Sequence, residues 1–174
     1  MSTTELQATG TFVADPVHSH VGFEVPYAVA TFSGEVTDFT ASLVDGKLEG
    51  SAKIESITLR DENLQAHVLS PEFFDAERHP VLTFAGEVVR SGDKATVDGE
   101  ITMKGITQPA TLEGTIVGPT VDHFGATRVG LKLETVVDRT AFDMKWNMPL
   151  PNGEPALGTE VTLTADLTLV AQEA

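Results

Sequence analysis

Apolar and polar residues alternate along most of this chain with a period of two, the pattern of strands that bury one face. In Val21-Gly22-Phe23-Glu24-Val25 the apolar set falls on odd positions, and in Leu82-Thr83-Phe84-Ala85-Gly86-Glu87-Val88 it falls mostly on even ones. Further stripes run through Leu48, Gly50, Ala52 and Ile54; Ala95, Val97, Gly99, Ile101 and Met103; and Ala110, Leu112, Gly114 and Ile116. Val129, Leu131 and Leu133 make another, and Val161, Leu163, Ala165, Leu167 and Leu169 the last. The set predicts about eight long strands. Asp45-Gly46, Ser91-Gly92-Asp93 and Phe124-Gly125 punctuate them as hairpin turns, so consecutive strands are expected to be antiparallel neighbours. Pro151-Asn152-Gly153-Glu154-Pro155 marks a longer, stiffer excursion.

One stretch breaks the alternation. Asp61 is a helix cap for Glu62 to His67, and Ser70-Pro71-Glu72-Phe73 reads as a second cap with proline at the first helical position. Two short helical segments ending in Phe73-Phe74 are expected to lie across one end of the sheet with both rings inward. The predicted class is therefore all-β: a closed or nearly closed antiparallel barrel of about eight strands with a short helical plug. A two-sheet sandwich is the alternative. The small residues Gly50, Ala52, Gly86, Ala95, Gly99, Ala110, Gly114 and Ala165 on the stripes favour a barrel that keeps a lumen.

Composition strengthens this picture and narrows the partners. Valine occurs 19 times and threonine 22 times, both suited to a pleated surface. At 174 residues the chain fits one domain, with residues 1–10 expected as a flexible N-terminal segment and 11–174 as the barrel. A formal net charge of −15 repels phosphate backbones, which argues against nucleic acid as a partner. There are no cysteines, which excludes thiolate catalysis and Cys-ligated metal centres. No apolar run approaches a membrane span, and the first ten residues have neither a basic nor an apolar signal region, so a cytoplasmic location is expected.

Ordered blocks along the chain resemble the YceI-like family of lipocalin-like polyisoprenoid-binding proteins over residues 12 to 170. They are Asp15-Pro16-Val17-His18-Ser19-His20-Val21-Gly22-Phe23-Glu24-Val25 followed by Gly34 and Phe39; Ile57-Thr58, Arg60-Asp61 and Leu64; and Ser70-Pro71-Glu72-Phe73-Phe74-Asp75 running into His79-Pro80 and Thr83-Phe84. Gly99, Gly105-Ile106-Thr107-Gln108-Pro109, Leu112, Asp138-Arg139-Thr140-Ala141-Phe142 and Gly158-Thr159-Glu160-Val161 complete them. The resemblance implies an extended lipocalin-like barrel whose apolar pore holds a polyprenyl chain, an isoprenoid quinone precursor or another long-chain amphiphile, with no catalytic residue and no cofactor. Two departures stand out. Pro26-Tyr27 replaces a further histidine that relatives carry after the first strand, and the helical segment is a few residues longer around Ala66-His67-Val68.

Candidate pore residues follow from combining the stripes with the resemblance: Phe23, Tyr27, Phe39, Phe73, Phe74, Phe84, Met103, Phe142, Met144 and Trp146, with Met148 in the same run. Periodicity alone assigns each of them equally well to a packed core. Tyr27 and Trp146 suit the mouth, since each joins an apolar ring to a polar tip. Ser19, Tyr27, Arg139 and Asn147 are the candidate head-group donors. His18 and His20 share a strand face and would hold a metal only with a third ligand at defined spacing, which the sequence does not offer; a hydrogen-bond network at the strand start is the simpler reading. Asp138, Arg139 and Asp143 read as a strand-end ion pair, and Arg60-Asp61 as a cap plus a salt bridge.

The leading expectation is non-catalytic storage or transport of a long-chain isoprenoid. One alternative is an enzyme on an isoprenoid quinone using a His–Asp pair, with His18 and Asp138 as candidates. The other is a stress-related interaction module whose filled barrel has no continuous cavity. A homodimer through barrel edge strands is compatible with either.

Overall fold

The computed structural model describes residues 4–5 and 10–172. Its strands, in chain order, are β1 (Thr4–Glu5), β2 (Thr11–Ala14), β3 (His20–Tyr27), β4 (Ala30–Val36), β5 (Phe39–Val44), β6 (Lys47–Lys53), β7 (Ile57–Thr58), β8 (Val81–Ser91), β9 (Lys94–Met103), β10 (Ile106–Val121), β11 (Thr127–Asp138) and β12 (Glu160–Ala171). Among the described residues the one α-helix, α1 (Glu62–Leu69), falls between β7 and β8, and 3-10 helices occupy Ile54–Ser56 and Arg139–Phe142.

Every named pairing is antiparallel. The ring runs β2-β5-β6-β8-β9-β10-β11-β12, and β12 closes it by pairing with β11 on one side and with β2 and β3 on the other. Because β2 and β3 both lie along β12, and β4 and β5 lie along them in turn, each pair is one long strand with a local break. The barrel thus has eight long strand positions, as the stripes predict. Asp45-Gly46, Gly92 and the Asp122–Ala126 turn join neighbours as expected. Two hairpins that the sequence reading passed over, at Ala28 and at Lys104-Gly105, are built on residues with positive φ.

Closure is tightest where the strands carry glycine. A Cβ on Gly114 would fall inside the carbonyl group of Lys132 on β11, and one on Gly99 would fall inside that of Ala85 on β8. These two glycines serve backbone approach rather than a lumen, whereas Gly50, Ala52 and Ala165 do border internal space.

One half of the barrel is sealed by its own side chains. Leu43, Val97, Ile116, Val129, Leu131 and Leu169 are fully buried there, and each such side chain contributes roughly 1.5–3 kcal/mol of transfer free energy. The other half is open between β7 and β8, because β7 pairs only with β4. Residues 59–80 bridge that gap. Asp61 caps α1 as predicted, accepting from the N–H groups of Asn63 and Leu64 at 2.8 and 3.2 Å. Val68 packs its buried side chain among Phe23, Val36, Ile54 and Ile57.

The second predicted helix does not form. Ser70 turns its hydroxyl back onto the His67 carbonyl instead of capping forward, and residues 71–74 make tight turns that end at Asp75, with φ of 53°. Among the described residues no helix is long and apolar enough to cross a membrane. The flexible segment expected at 1–10 lies mostly outside the described residues; within it, Thr4 and Glu5 pair with Arg90 and Val89 of β8.

Candidate functional site

Three segments meet at the open end: α1, the β3–β4 hairpin, and the irregular excursion of residues 143–159. The excursion is tied to the hairpin by backbone bonds from Gly158 N–H to the Pro26 carbonyl and from Ala28 N–H to the Ala156 carbonyl, both 2.8 Å. Lys104, in the β9–β10 turn, donates to the carbonyls of Pro71 and Asp143 at 2.7 and 2.8 Å, which fixes the plug to the start of the excursion.

Between these segments lies a cavity of about 470 Å³. Its outer wall is aromatic and imidazole: the His67 ring sits edge-on between Phe73 and Trp146, with centroids 4.8 and 4.5 Å away. His67 Nε2 donates to the Glu72 carboxylate at 2.8 Å, which anchors the ring at that nitrogen while it packs against the two aromatics. Tyr27 and Leu64 line the rim and are exposed. The inner wall is Phe23 and Phe74.

Beyond those two rings the interior continues as two smaller cavities of about 110 Å³ each, sharing Phe84, Leu112 and Leu133 in their walls. Along β12 the inward-facing residues pass through all three in order. Val161 lines the mouth cavity, Leu163 and Ala165 the middle one, and Ala165 and Leu167 the innermost. Val161 to Leu167 spans roughly 20 Å of strand. The interior is therefore a series of apolar chambers divided by aromatic rings, ending on the sealed half.

The structure brings together eight of the ten candidate pore residues, counted over the three chambers. Phe23, Tyr27, Phe73, Phe74, Met144 and Trp146 line the mouth, while Phe39 and Phe84 line the inner chambers. Met103 and Phe142 pack in the core behind the mouth, and Met148 is exposed.

Arg139 differs from the strand-end ion pair expected of it. Its guanidinium is 3% exposed and turned inward, where Nε donates to the Gly158 carbonyl at 2.7 Å, Nη1 to those of Met144 and Trp146 at 2.6 and 2.8 Å, and Nη2 to that of Leu157 at 3.3 Å. Burial pulls its pKa below the ordinary guanidinium value, with the Asp138 charge acting in the opposite sense. It nevertheless stays a cation. Asp138 instead caps the 3-10 helix through Thr140, and Asp143 faces Lys145. Arg60 forms no salt bridge among the described residues, so only the cap half of the Arg60-Asp61 expectation is met.

The histidine candidates separate. His18 sits in the turn before β3 and bonds Asp15 through Nδ1 at 2.8 Å; His20 bonds Glu35 at 3.5 Å. Ser19 completes the expected network, accepting from the Thr168 N–H at 3.0 Å. Asp15 also receives Arg128, which reaches Asp122 as well, so this ion cluster staples the sealed end. The Asp15 carboxyl is held at about 2, first by its hydrogen bond with His18, then by the Val17 N–H and Arg128. Asp138 lies at the other end of β11 from Arg128, roughly 33 Å along the strand, so His18 and Asp138 do not form a pair.

The sequence and fold both have relatives. The YceI-like domain model matches residues 12–169. A UPF0312 protein of Pseudomonas putida is 28% identical over 130 residues, covering 73% of this chain and 68% of that protein. The YceI protein of Escherichia coli O157:H7 is 25% identical over 131 residues, covering 74% and 69%. Among solved structures, BcnA of Burkholderia cenocepacia superposes with a TM-score of 0.72 at 18% identity, over 91% of this chain and 99% of that one. A polyisoprenoid binding domain from Saccharophagus degradans gives the same TM-score at 9% identity, over 95% and 100%. With the family model spanning nearly all of the described barrel, this chain belongs to the YceI-like family.

Proposed function

We propose that the protein binds, without catalysis, a long-chain isoprenoid or similar amphiphile, and that it stores or carries that lipid through water. The observation that carries this reading is the series of apolar chambers leading inward from an aromatic mouth with polar groups at its rim. Each buried CH₂ of a ligand tail gains roughly 0.8 kcal/mol, so a tail reaching past Phe23 and Phe74 is held without any specific hydrogen bond. The fold likeness to a domain described as polyisoprenoid-binding supports the ligand class.

A second reading has its own observation. The chambers are not one open tube, and half of the barrel is filled, which favours an interaction module that carries nothing. The two readings differ in whether Phe23, Phe74 and Phe84 yield to a tail.

Solvent extraction of the purified protein followed by mass spectrometry, beside a denatured and delipidated control, separates them. A stoichiometric isoprenoid or long-chain amphiphile is expected. A blank that persists after the protein has been offered polyprenyl lipids overturns carriage and leaves the interaction module.

A further inference from the structure

Asparagine occurs at three positions in this chain, 63, 147 and 152, and the structure leaves one of them open to attack by its own backbone. An asparagine loses ammonia when the nitrogen of the next residue reaches its side-chain carbon Cγ, so what decides is whether that nitrogen and that side chain are free to meet. Asn147 is not free. Its Nδ2 donates to the Leu157 carbonyl at 2.7 Å, and its Oδ1 accepts from the N–H groups of Met148 and Leu157, both at 2.9 Å. Asn63 is exposed but sits in the first turn of α1, where the Leu64 N–H is held by the Asp61 carboxylate and the helical ψ keeps that nitrogen out of line with the side chain.

Asn152 differs on each count. It lies at the tip of a turn in the excursion, with Asn152 and Gly153 both exposed. Gly153 offers a nitrogen with no side chain beside it, and the place a Cβ would take has nothing within 4 Å. Asn152 Oδ1 accepts from the Glu154 N–H at 2.9 Å, a bond that folds the side chain forward along the turn and draws electron density from Cγ. Among the described residues Nδ2 has no partner, so nothing retains the leaving ammonia. The Gly153 N–H bonds the Leu150 carbonyl at 2.9 Å, and a bond in so exposed a turn is among the first to open.

We propose that Asn152-Gly153 is a self-modification site, and that its conversion loosens the wall of the mouth. A base takes the Gly153 amide proton, the nitrogen bonds to Cγ of Asn152, the Cγ–Nδ2 bond breaks, and ammonia leaves with a proton from solvent. Water then opens the five-membered succinimide, at the α-carbonyl to give isoaspartate or at Cγ to give aspartate. Isoaspartate routes the chain through the β carbon and so lengthens one side of the turn. That side is part of a ladder: the Leu150 N–H bonds the Glu154 carbonyl at 2.7 Å, the Ala156 N–H bonds the Met148 carbonyl at 2.9 Å, and the Ala156 carbonyl receives Ala28 of the β3–β4 hairpin at 2.8 Å. Trp146 and Leu157, which flank the ladder, stand in the cavity wall. The site is independent of what the chambers hold.

The test is to keep the full chain in warm, mildly alkaline buffer and follow it by peptide mapping and mass spectrometry. The mass gain of an amide-to-acid conversion is expected at Asn152 at least severalfold faster than at Asn63 or Asn147, at a rate that rises with hydroxide concentration. No gain at Asn152, or an equal rate at Asn147, overturns the site. Hydrogen exchange reads the effect on the mouth. In the converted chain, exchange is expected to quicken at residues 26–28 and 148–158 and not at the sealed end, whereas Asn152→Ser, with no amide to lose, should exchange alike before and after the same incubation. Unchanged exchange in a fully converted chain overturns the loosening, and an equal quickening in Asn152→Ser overturns it as well, by tracing the change to other damage.

Discussion

Phe23 and Phe74 meet edge to face with ring centroids 6.2 Å apart at 64°, one from the barrel wall and one from the plug, and both rings border the mouth cavity and the chamber beneath it. On the carriage reading proposed above, this pair stands where the ligand tail would pass. Phe74→Ala should lower stability by about 3 kcal/mol, at the low end for a phenylalanine because the side chain is only half buried. The same variant should speed association of a prenyl ligand in stopped-flow measurements. An association rate equal to that of the natural chain shows that the rings do not gate entry.

Tail length gives a second prediction. An extended five-carbon isoprene unit advances roughly 5 Å, given C–C bonds of about 1.5 Å. The chambers extend along roughly 20 Å of β12. Affinity across a series of prenyl alcohols should therefore climb up to about four units and then level off. Continued gains with longer tails mean that the packed half of the barrel opens as well.

Lys104 makes a prediction about the frame of the mouth. Replacing it with methionine keeps its apolar stem and removes both bonds, to the Pro71 and Asp143 carbonyls. We expect about 1–2 kcal/mol of lost stability, with hydrogen exchange accelerating at residues 71–75 and 143–147 and not at the sealed end. Uniform acceleration across the barrel contradicts a local clamp.

The ion cluster around Asp15 sets an acid limit. Its carboxyl is held at about 2 in the folded chain against an ordinary value of 3.8, so folding is favoured by the ionised form. That contribution is complete above the ordinary value, shrinks as pH falls through it, and is gone below about 2. Asp15→Asn should be less stable at neutral pH and should show a flatter loss of stability from about pH 4 to pH 2 in denaturant titrations. An identical slope in the two proteins removes Asp15 as the cause.

Gly114 tests the barrel wall itself. Gly114→Ala must push β10 from β11 to clear the Lys132 carbonyl, and a cost of about 1–3 kcal/mol is expected. Gly46→Ala is a poor control because its φ is 86°; Gly50→Ala, whose Cβ meets only the Thr40 carbonyl at 3.7 Å, is a fair one and should cost far less.

What the sequence made legible was whatever repeats or sits at fixed local spacing. The period-two stripes and the Asp61 cap read correctly because one strand face and one helix turn decide them. The Ser70-Pro71 signature misled because the same hydroxyl that caps a helix forward can bond backward to His67, and only the crowded turn leading into Asp75 selects between the two. Met103 and Phe142 could not be separated from Met144 and Trp146, since an apolar residue carries no mark of which side of a wall it faces. The sequence pairs Arg139 with its neighbours Asp138 and Asp143, yet its acceptors are main-chain carbonyls at residues 144, 146, 157 and 158. No residue type announces a carbonyl that a loop folds back to present. His67 is absent from the pore candidates for a similar reason: its partners Phe73, Glu72 and Trp146 come together only when the plug and the excursion close.

The packed half of the barrel makes the molecule a sheath and not a conduit. A guest that goes in tail first has to back out head first through the same doorway, past Trp146 and Tyr27. On the carriage reading proposed above, delivery would be a handover at a single rim: a receiver would grip the head of the cargo before the tail had left the chain, and the greasy part would never cross open solvent unaccompanied.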